Sequence, residues 1–265
     1  MISRRDLISA FSLSMLVPSF VRSQEVVKTW SAEAFEQAQP IVQAICEHPF
    51  LTGMVRGTLA QESFNWYLAQ NSLYLDGYMK ALSLLASKFK KPSHIETFAE
   101  EAKKTVDILN WTKDEYKKLS GKEISESPYK EPTQSVLMYS GFETQAVLFN
   151  SPAVGLAACL PCFWVYGEIG RWISTQAQIK NNPFQMWLDA YTDQSYPQTV
   201  ERVVRIADEL ADESTESDKK LMTDCFLTSC KMEWVFFDAA YRREEWHKFK
   251  SKPAQNKSAG SKASG

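Results

Sequence analysis

Residues 59–89 read LAQESFNWYLAQNSLYLDGYMKALSLLASKF. No proline interrupts this run, and its apolar and aromatic residues recur at helical spacing, which predicts one long helix. Tyr67, Asn71, Tyr74 and Tyr78 stand at i, i+4, i+7 and i+11, so they share one face of it. Three phenols and one amide are poor core material, because each polar group needs a partner once buried. They are good material for gripping a flat polar ring.

The flanking sequence reads as further helices. Ser31 can cap a first helix that runs to about Cys46, and His48-Pro49-Phe50 breaks it. Pro92-Ser93 resets the chain after the long helix, with Ser93 and Glu96 spaced as a capping box. Thr112 and Glu115 are spaced as a second, and Gly121 suits the C-terminus that follows. Residues 122–132 are polar, contain Pro128 and Pro132, and read as a loop. A helix is expected over 133–149, then a very apolar one over 153–177 with a kink or break at Pro161. Asn182-Pro183 fits the start of a short helix to Tyr191. Ser195 and Pro197 start another, to about Asp212. Ser214 or Thr215 caps a last long helix, expected to reach about Trp246. No segment alternates with a two-residue period. The expected fold is all-α, a single domain of about eight helices with 59–89, 153–177 and 214–246 at its centre.

The 265 residues carry 30 Lys+Arg against 32 Asp+Glu, a balance that argues against a generic nucleic-acid binder. Only 10 glycines disfavour turn-rich β architectures and glycine-rich phosphate loops. Three histidines, His48, His94 and His247, are too few for a multi-histidine metal site or for most histidine-based triads. Ser3-Arg4-Arg5-Asp6-Leu7-Ile8 and the short apolar run to Val17 read as a cleavable export signal over residues 1–23. Its paired arginines resemble a twin-arginine signal. The mature chain is then expected to begin near Gln24 in the periplasm. No later run is read as transmembrane, so no stable membrane association is expected. Residues 249–265 read as a disordered tail after a domain over 24–248.

Three further polar stripes sit in apolar helices. Cys159, Cys162 and Tyr166 lie at i, i+3 and i+7 on the 153–177 helix. Cys159 and Cys162 also form a C-x-x-C pair, without the βαβ surroundings of a redox motif. Glu233 shares a face with Phe226, Ser229, Cys230, Phe236 and Phe237. A carboxyl in an aromatic stripe is costly to bury charged, so its pKa should rise toward neutrality, as acid–base work requires. Tyr139 and Glu143 lie one turn apart. A thiol, a carboxyl, an amide and several phenols on inner helix faces suit thiol addition to an electron-poor ring, with proton transfer by the carboxyl.

Four segments carry a resemblance to a known family. They are His48-Pro49-Phe50, Gln70 to Leu75, Leu160-Pro161-Cys162 through Gly170, and Ala240-Tyr241-Arg242-Arg243-Glu244-Glu245-Trp246. The chain from about Glu33 to Trp246 resembles the TenA, or thiaminase II, family of aminopyrimidine aminohydrolases. The resemblance implies a heme-oxygenase-like helical bundle without heme or other cofactor or metal, often a homotetramer. It implies hydrolysis of 4-amino-5-aminomethyl-2-methylpyrimidine or of thiamin, in thiamin salvage. By the same resemblance Cys162 is the nucleophile and Glu233 the acid–base, with Asn71, Tyr74, Tyr139, Tyr166 and Tyr191 binding the pyrimidine. The match at Tyr191 requires a one-residue gap.

One residue departs from that pattern. Asn71 stands where the family usually carries an aspartate. An amide can pair with an amino group and the adjacent ring nitrogen, but it supplies no negative charge. Glu143 is one source of replacement charge. The neutral amide and the export signal together motivate an alternative, a non-catalytic exported binder of thiamin or aminopyrimidines. A change of chemistry toward that of the related pyrroloquinoline-quinone synthases is disfavoured by the scarcity of histidine. If Cys159 and Cys162 lie close enough to bond, the enzyme is expected to need a reductant.

Overall fold

The computed structural model describes residues 28–177, 179–193 and 195–247. The expected signal segment and C-terminal tail lie outside these residues. Among the described residues all regular structure is helical: α1 (Trp30–Cys46), α2 (Pro49–Val55), α3 (Gln61–Lys88), α4 (Pro92–Ser120), α5 (Gln134–Phe149), α6 (Pro152–Cys159), α7 (Pro161–Ser174), α8 (Gln185–Tyr191), α9 (Tyr196–Asp212) and α10 (Glu216–Arg242). The all-α expectation holds, and the count exceeds eight chiefly because short turns of helix follow the predicted breaks.

His48 is such a case. Its Nδ1 accepts the Phe50 N–H at 3.1 Å, capping α2 with Pro49 in the first turn. The break after α1 therefore starts a new helix immediately. Neither predicted capping box near α4 forms. Lys91 is the N-cap, with Pro92 taking the first helical position. Thr112 lies mid-helix, where its hydroxyl donates to the Ile108 carbonyl, so α4 continues unbroken to Ser120. Gly121 ends it in the left-handed conformation at φ 71°.

α6 is the centre. All its residues from Ala153 to Cys159 are buried, and it packs on α10, α5, α3 and α9. α7 continues past Leu160, whose backbone stays right-handed helical, so Pro161 kinks the run rather than ending it. Together Pro152–Ser174 is long and apolar enough to cross a bilayer, against the expectation that no run after the signal is; 83% of its apolar window is buried inside the fold. That is the placement of a core helix.

α10 stops at Arg242, short of the expected Trp246. Arg243 turns the chain in the left-handed conformation. The turn lets Glu244 Oε2 accept the Ser135 N–H (3.0 Å) and hydroxyl (2.7 Å) at the start of α5. Trp66 Nε1 donates to the Glu244 carbonyl at 2.9 Å. Gln70 closes the same end. Its amide donates to the carbonyls of Tyr129 and Glu131 and accepts the Thr133 N–H, which pins the 122–132 loop above α3. The chain before α5 is thus fixed in register against α3, which sets where Tyr139 and Glu143 point.

Candidate active site

The polar face of α3 looks onto α7, α5 and α10. Asn71, Tyr74, Cys162, Tyr166 and Tyr191 line one cavity of about 320 Å³, joined by Leu75, Asp107, Ile108, Trp111, Ala190 and Tyr196. Tyr139 and Glu233 stand in the layer behind this lining. The Tyr139 hydroxyl donates to Glu233 Oε1 at 2.8 Å, and the Tyr139 ring stacks on Tyr74 with centroids 4.9 Å apart.

Glu233 is 1% exposed. No cation faces it among the described residues; its partners are the hydroxyls of Tyr139 and Tyr166. Burial pushes its carboxyl up from an ordinary 4.5 to about 8, and the two phenols only partly offset this. A neutral carboxylic acid at physiological pH is the form a general acid needs. The rise expected from the aromatic stripe is therefore present, and its cause is burial.

Glu143 forms a second tyrosine–carboxyl pair beside the first. Its Oε1 accepts the Tyr74 hydroxyl at 2.9 Å, and its Oε2 is buried without a partner. Burial raises its pKa well above the ordinary carboxylate range, and the neighbouring Glu233 adds to this. Glu143 therefore sits behind Tyr74 as a neutral acid, a position that does not supply the negative charge missing at Asn71.

Cys162 occupies the second position of α7, directly after the Pro161 kink. Burial raises its thiol, and the Glu233 and Glu143 carboxyls add to that, while the hydroxyls of Tyr74 and Tyr78 favour the thiolate. Tyr196 holds the backbone beneath it, donating to the carbonyls of Phe163 (3.1 Å) and Cys162 (3.4 Å). Tyr78 donates to the Cys159 carbonyl at 2.9 Å. Cys159 itself is fully buried, and both cysteines are free thiols.

Tyr166 and Tyr191 make the opposite wall, stacked at 4.9 Å. Their hydroxyls share the Tyr67 hydroxyl, which also accepts Trp187 Nε1 at 3.3 Å. α8 can stand this close to α7 because residue 170 is glycine. A Cβ there would overlap the Tyr191 carbonyl oxygen.

The arrangement presents a thiol and an amide to a flat cavity between tyrosine rings, with a neutral carboxyl one layer behind. Residues 35–243 match the TENA/THI-4/PQQC family. The chain belongs to that family. It is 32% identical over 201 residues to the aminopyrimidine aminohydrolase of Bacillus subtilis (strain 168), covering 75% of this chain and 84% of the relative. It is 27% identical over 220 residues to that of Halalkalibacterium halodurans, covering 83% and 98%. Among solved structures, a TenA homologue from P. horikoshii OT3 superposes with a TM-score of 0.71 at 28% identity, covering 81% of this chain and 99% of that one. A domain with a heme oxygenase-like fold from Shewanella denitrificans reaches a TM-score of 0.65 at 12% identity, over 80% and 92% of the two chains, and shares the fold alone.

Within this TENA/THI-4/PQQC bundle, all seven residues predicted from sequence meet in one place, five on the cavity and Tyr139 and Glu233 behind it. Trp111, Ile108 and Tyr196 were not anticipated. Trp111 and Ile108 belong to an α4 face whose sequence pattern reads as ordinary amphipathic helix. Tyr196 sits at a helix start, where the adjacent Pro197 gives the visible signal and the tyrosine gives none.

Proposed function

We propose that the protein is a thiaminase II-like aminopyrimidine aminohydrolase of thiamin salvage, using Cys162 as nucleophile and Glu233 as acid–base. The observation that carries this reading is Cys162 and Asn71 on one tyrosine-walled cavity, backed by a carboxyl pushed up to about 8. The relatives named as aminopyrimidine aminohydrolases support the same substrate class. Cys162 Sγ adds to the pyrimidine ring, and the ring nitrogen that receives the displaced electrons takes the thiol proton. Their return expels the substituent on the exocyclic methylene, an amine or the thiazole of thiamin. Glu233 gives the departing amine its proton. Water then adds to the methylene and its proton passes to Glu233, while Cys162 leaves, taking its proton back from the ring nitrogen, and the ring regains aromaticity. Tyr74, Tyr166 and Tyr191 wall the ring, Asn71 pairs with its polar edge, and Tyr139 holds Glu233 in place.

The paired arginines Arg4 and Arg5 support export to the periplasm before any of this chemistry occurs. Leu137, Met138, Leu148 and Phe149 lie exposed on α5, Phe149 at 80%, which supports a homo-oligomer, a tetramer by resemblance to the family. The test uses purified protein, residues 24–265, under reducing conditions. Ammonia should be released from 4-amino-5-aminomethyl-2-methylpyrimidine, or thiazole from thiamin. Release of neither, with either pyrimidine still bound, would replace the enzyme by the exported binder that the neutral Asn71 amide favours.

A further inference from the structure

We propose that the cavity takes 4-oxo pyrimidines as readily as 4-amino pyrimidines, because the Asn71 amide is its selecting group and can turn to match either ring edge. This rests on the aminopyrimidine reading above and concerns the substrate class of the same site.

Apart from the Cys162 thiol and the Trp111 indole N–H, which is a donor alone, most polar side chains of the lining already have partners. The Tyr74 hydroxyl is engaged with Glu143 and with Cys162. The Tyr196 hydroxyl is committed to the carbonyls of Cys162 and Phe163. Tyr166 and Tyr191 are engaged with Tyr67, and Tyr166 also with Glu233. Asp107 is exposed to solvent and paired with Lys103 Nζ at 3.1 Å. Asn71 lines the cavity at 8% exposure, and among the described residues its side-chain amide has no hydrogen-bond partner. It is the lining group left with both a donor and an acceptor to offer a ring.

A 4-amino pyrimidine presents an N–H donor beside a bare ring nitrogen, an acceptor. A 4-oxo pyrimidine in its N–H form presents the reverse, an acceptor beside a donor. An amide satisfies the first with its oxygen toward the amino group and its NH₂ toward the ring nitrogen. Rotated by half a turn, it satisfies the second equally. An ionised carboxylate at the same place offers acceptors only, so it would face the 4-oxo oxygen with a like dipole. The rest of the cavity does not restore a preference. The two buried carboxyls behind the lining are held in the neutral form by burial, so no fixed negative charge there favours a protonated amino ring.

The experiment is calorimetric titration of the intact protein with 4-amino-5-hydroxymethyl-2-methylpyrimidine and with its 4-oxo counterpart at about pH 7, below the Glu233 transition. Neither carries the amine to be hydrolysed, so binding is read without turnover. The expected Kd values agree within about threefold for the wild type. In Asn71→Asp the 4-oxo compound should weaken at least about tenfold relative to the 4-amino compound, the cost of facing an acceptor with an acceptor. Asn71→Ala should weaken both to a similar degree. A wild-type preference of tenfold or more for the 4-amino ring would overturn the inference and leave the aminohydrolase reading standing. So would an unchanged ratio in Asn71→Asp. Binding of neither ring by the wild type would remove both the inference and the reading beneath it.

Discussion

Replacing Glu233 by Gln should flatten the dependence of stability on pH. In the folded protein Glu233 keeps its proton up to about pH 8, whereas the unfolded chain loses it near 4.5. Between those values the native state binds the extra proton, so stability is fully present at the acid end and declines as pH rises. The gap is roughly 3.5 pH units, and each unit is worth about 1.4 kcal/mol, giving about 5 kcal/mol in all. The cause is the removal of a carboxyl from water on the helix face of Phe236 and Phe237, with two phenols as its hydrogen-bonding partners among the described residues. Gln at this site still accepts the Tyr139 hydroxyl, and any cost of its extra NH₂ does not vary with pH. Urea unfolding of both proteins, followed by circular dichroism between about pH 5 and 8.5, reads the difference directly. The variant should gain on the wild type by about 1.4 kcal/mol for each pH unit until about pH 8, where the gain levels off. Glu143 titrates in the same direction in both proteins, burial being the larger cause of its rise, and the variant removes only the smaller contribution of Glu233. Parallel stability curves, within about 0.5 kcal/mol across the range, would refute the assignment of Glu233 as a buried neutral acid.

Other perturbations follow from the same contacts. Tyr139→Phe removes a hydroxyl that lowers the Glu233 pKa, so the alkaline limb of the pH–rate profile for ammonia release should move upward; a downward shift would contradict the contact. Tyr74→Phe strips Glu143 Oε1 of its hydrogen-bond partner while Oε2 is already unpaired, and should cost about 1–3 kcal/mol in chemical denaturation. In the double variant with Glu143→Met much of that cost should be recovered, and additive losses would argue against the pair. Gly170→Ala should push α8 from α7 and displace Tyr191, lowering stability by about 1–3 kcal/mol and weakening pyrimidine binding; unaltered affinity would show that Tyr191 does not shape the cavity.

The helix pattern and most of the site were legible in the sequence for different reasons. The i, i+4, i+7, i+11 stripe from Tyr67 to Tyr78 needs only helical geometry, and in the fold its members all turn inward. Glu233 among phenylalanines announces a buried acid because the 3.6-residue period places them on one face. Its partner was not legible, since Tyr139 reaches it across 94 residues of sequence. The capping boxes at Ser93 and Thr112 misled because spacing alone does not say whether the chain bends there; Pro92 had already taken the first helical position. The end of α10 misled for the opposite reason. Glu244 and Trp246 look like helix continuation, yet long-range hydrogen bonds to Ser135 and Pro132 draw them off the helix axis. Trp111 entered the cavity from α4 because α3 and α4 pack along their length, a pairing that local pattern does not encode.

The proposed chemistry turns on a bond between Cys162 and the pyrimidine. The direct measurement is kcat/KM for ammonia release from 4-amino-5-aminomethyl-2-methylpyrimidine by the wild type and by Cys162→Ala, with circular dichroism to establish that both are folded. The variant should lose at least about a thousandfold, the scale expected when a covalent nucleophile is removed. Wild-type turnover retained within about tenfold by folded Cys162→Ala would contradict it.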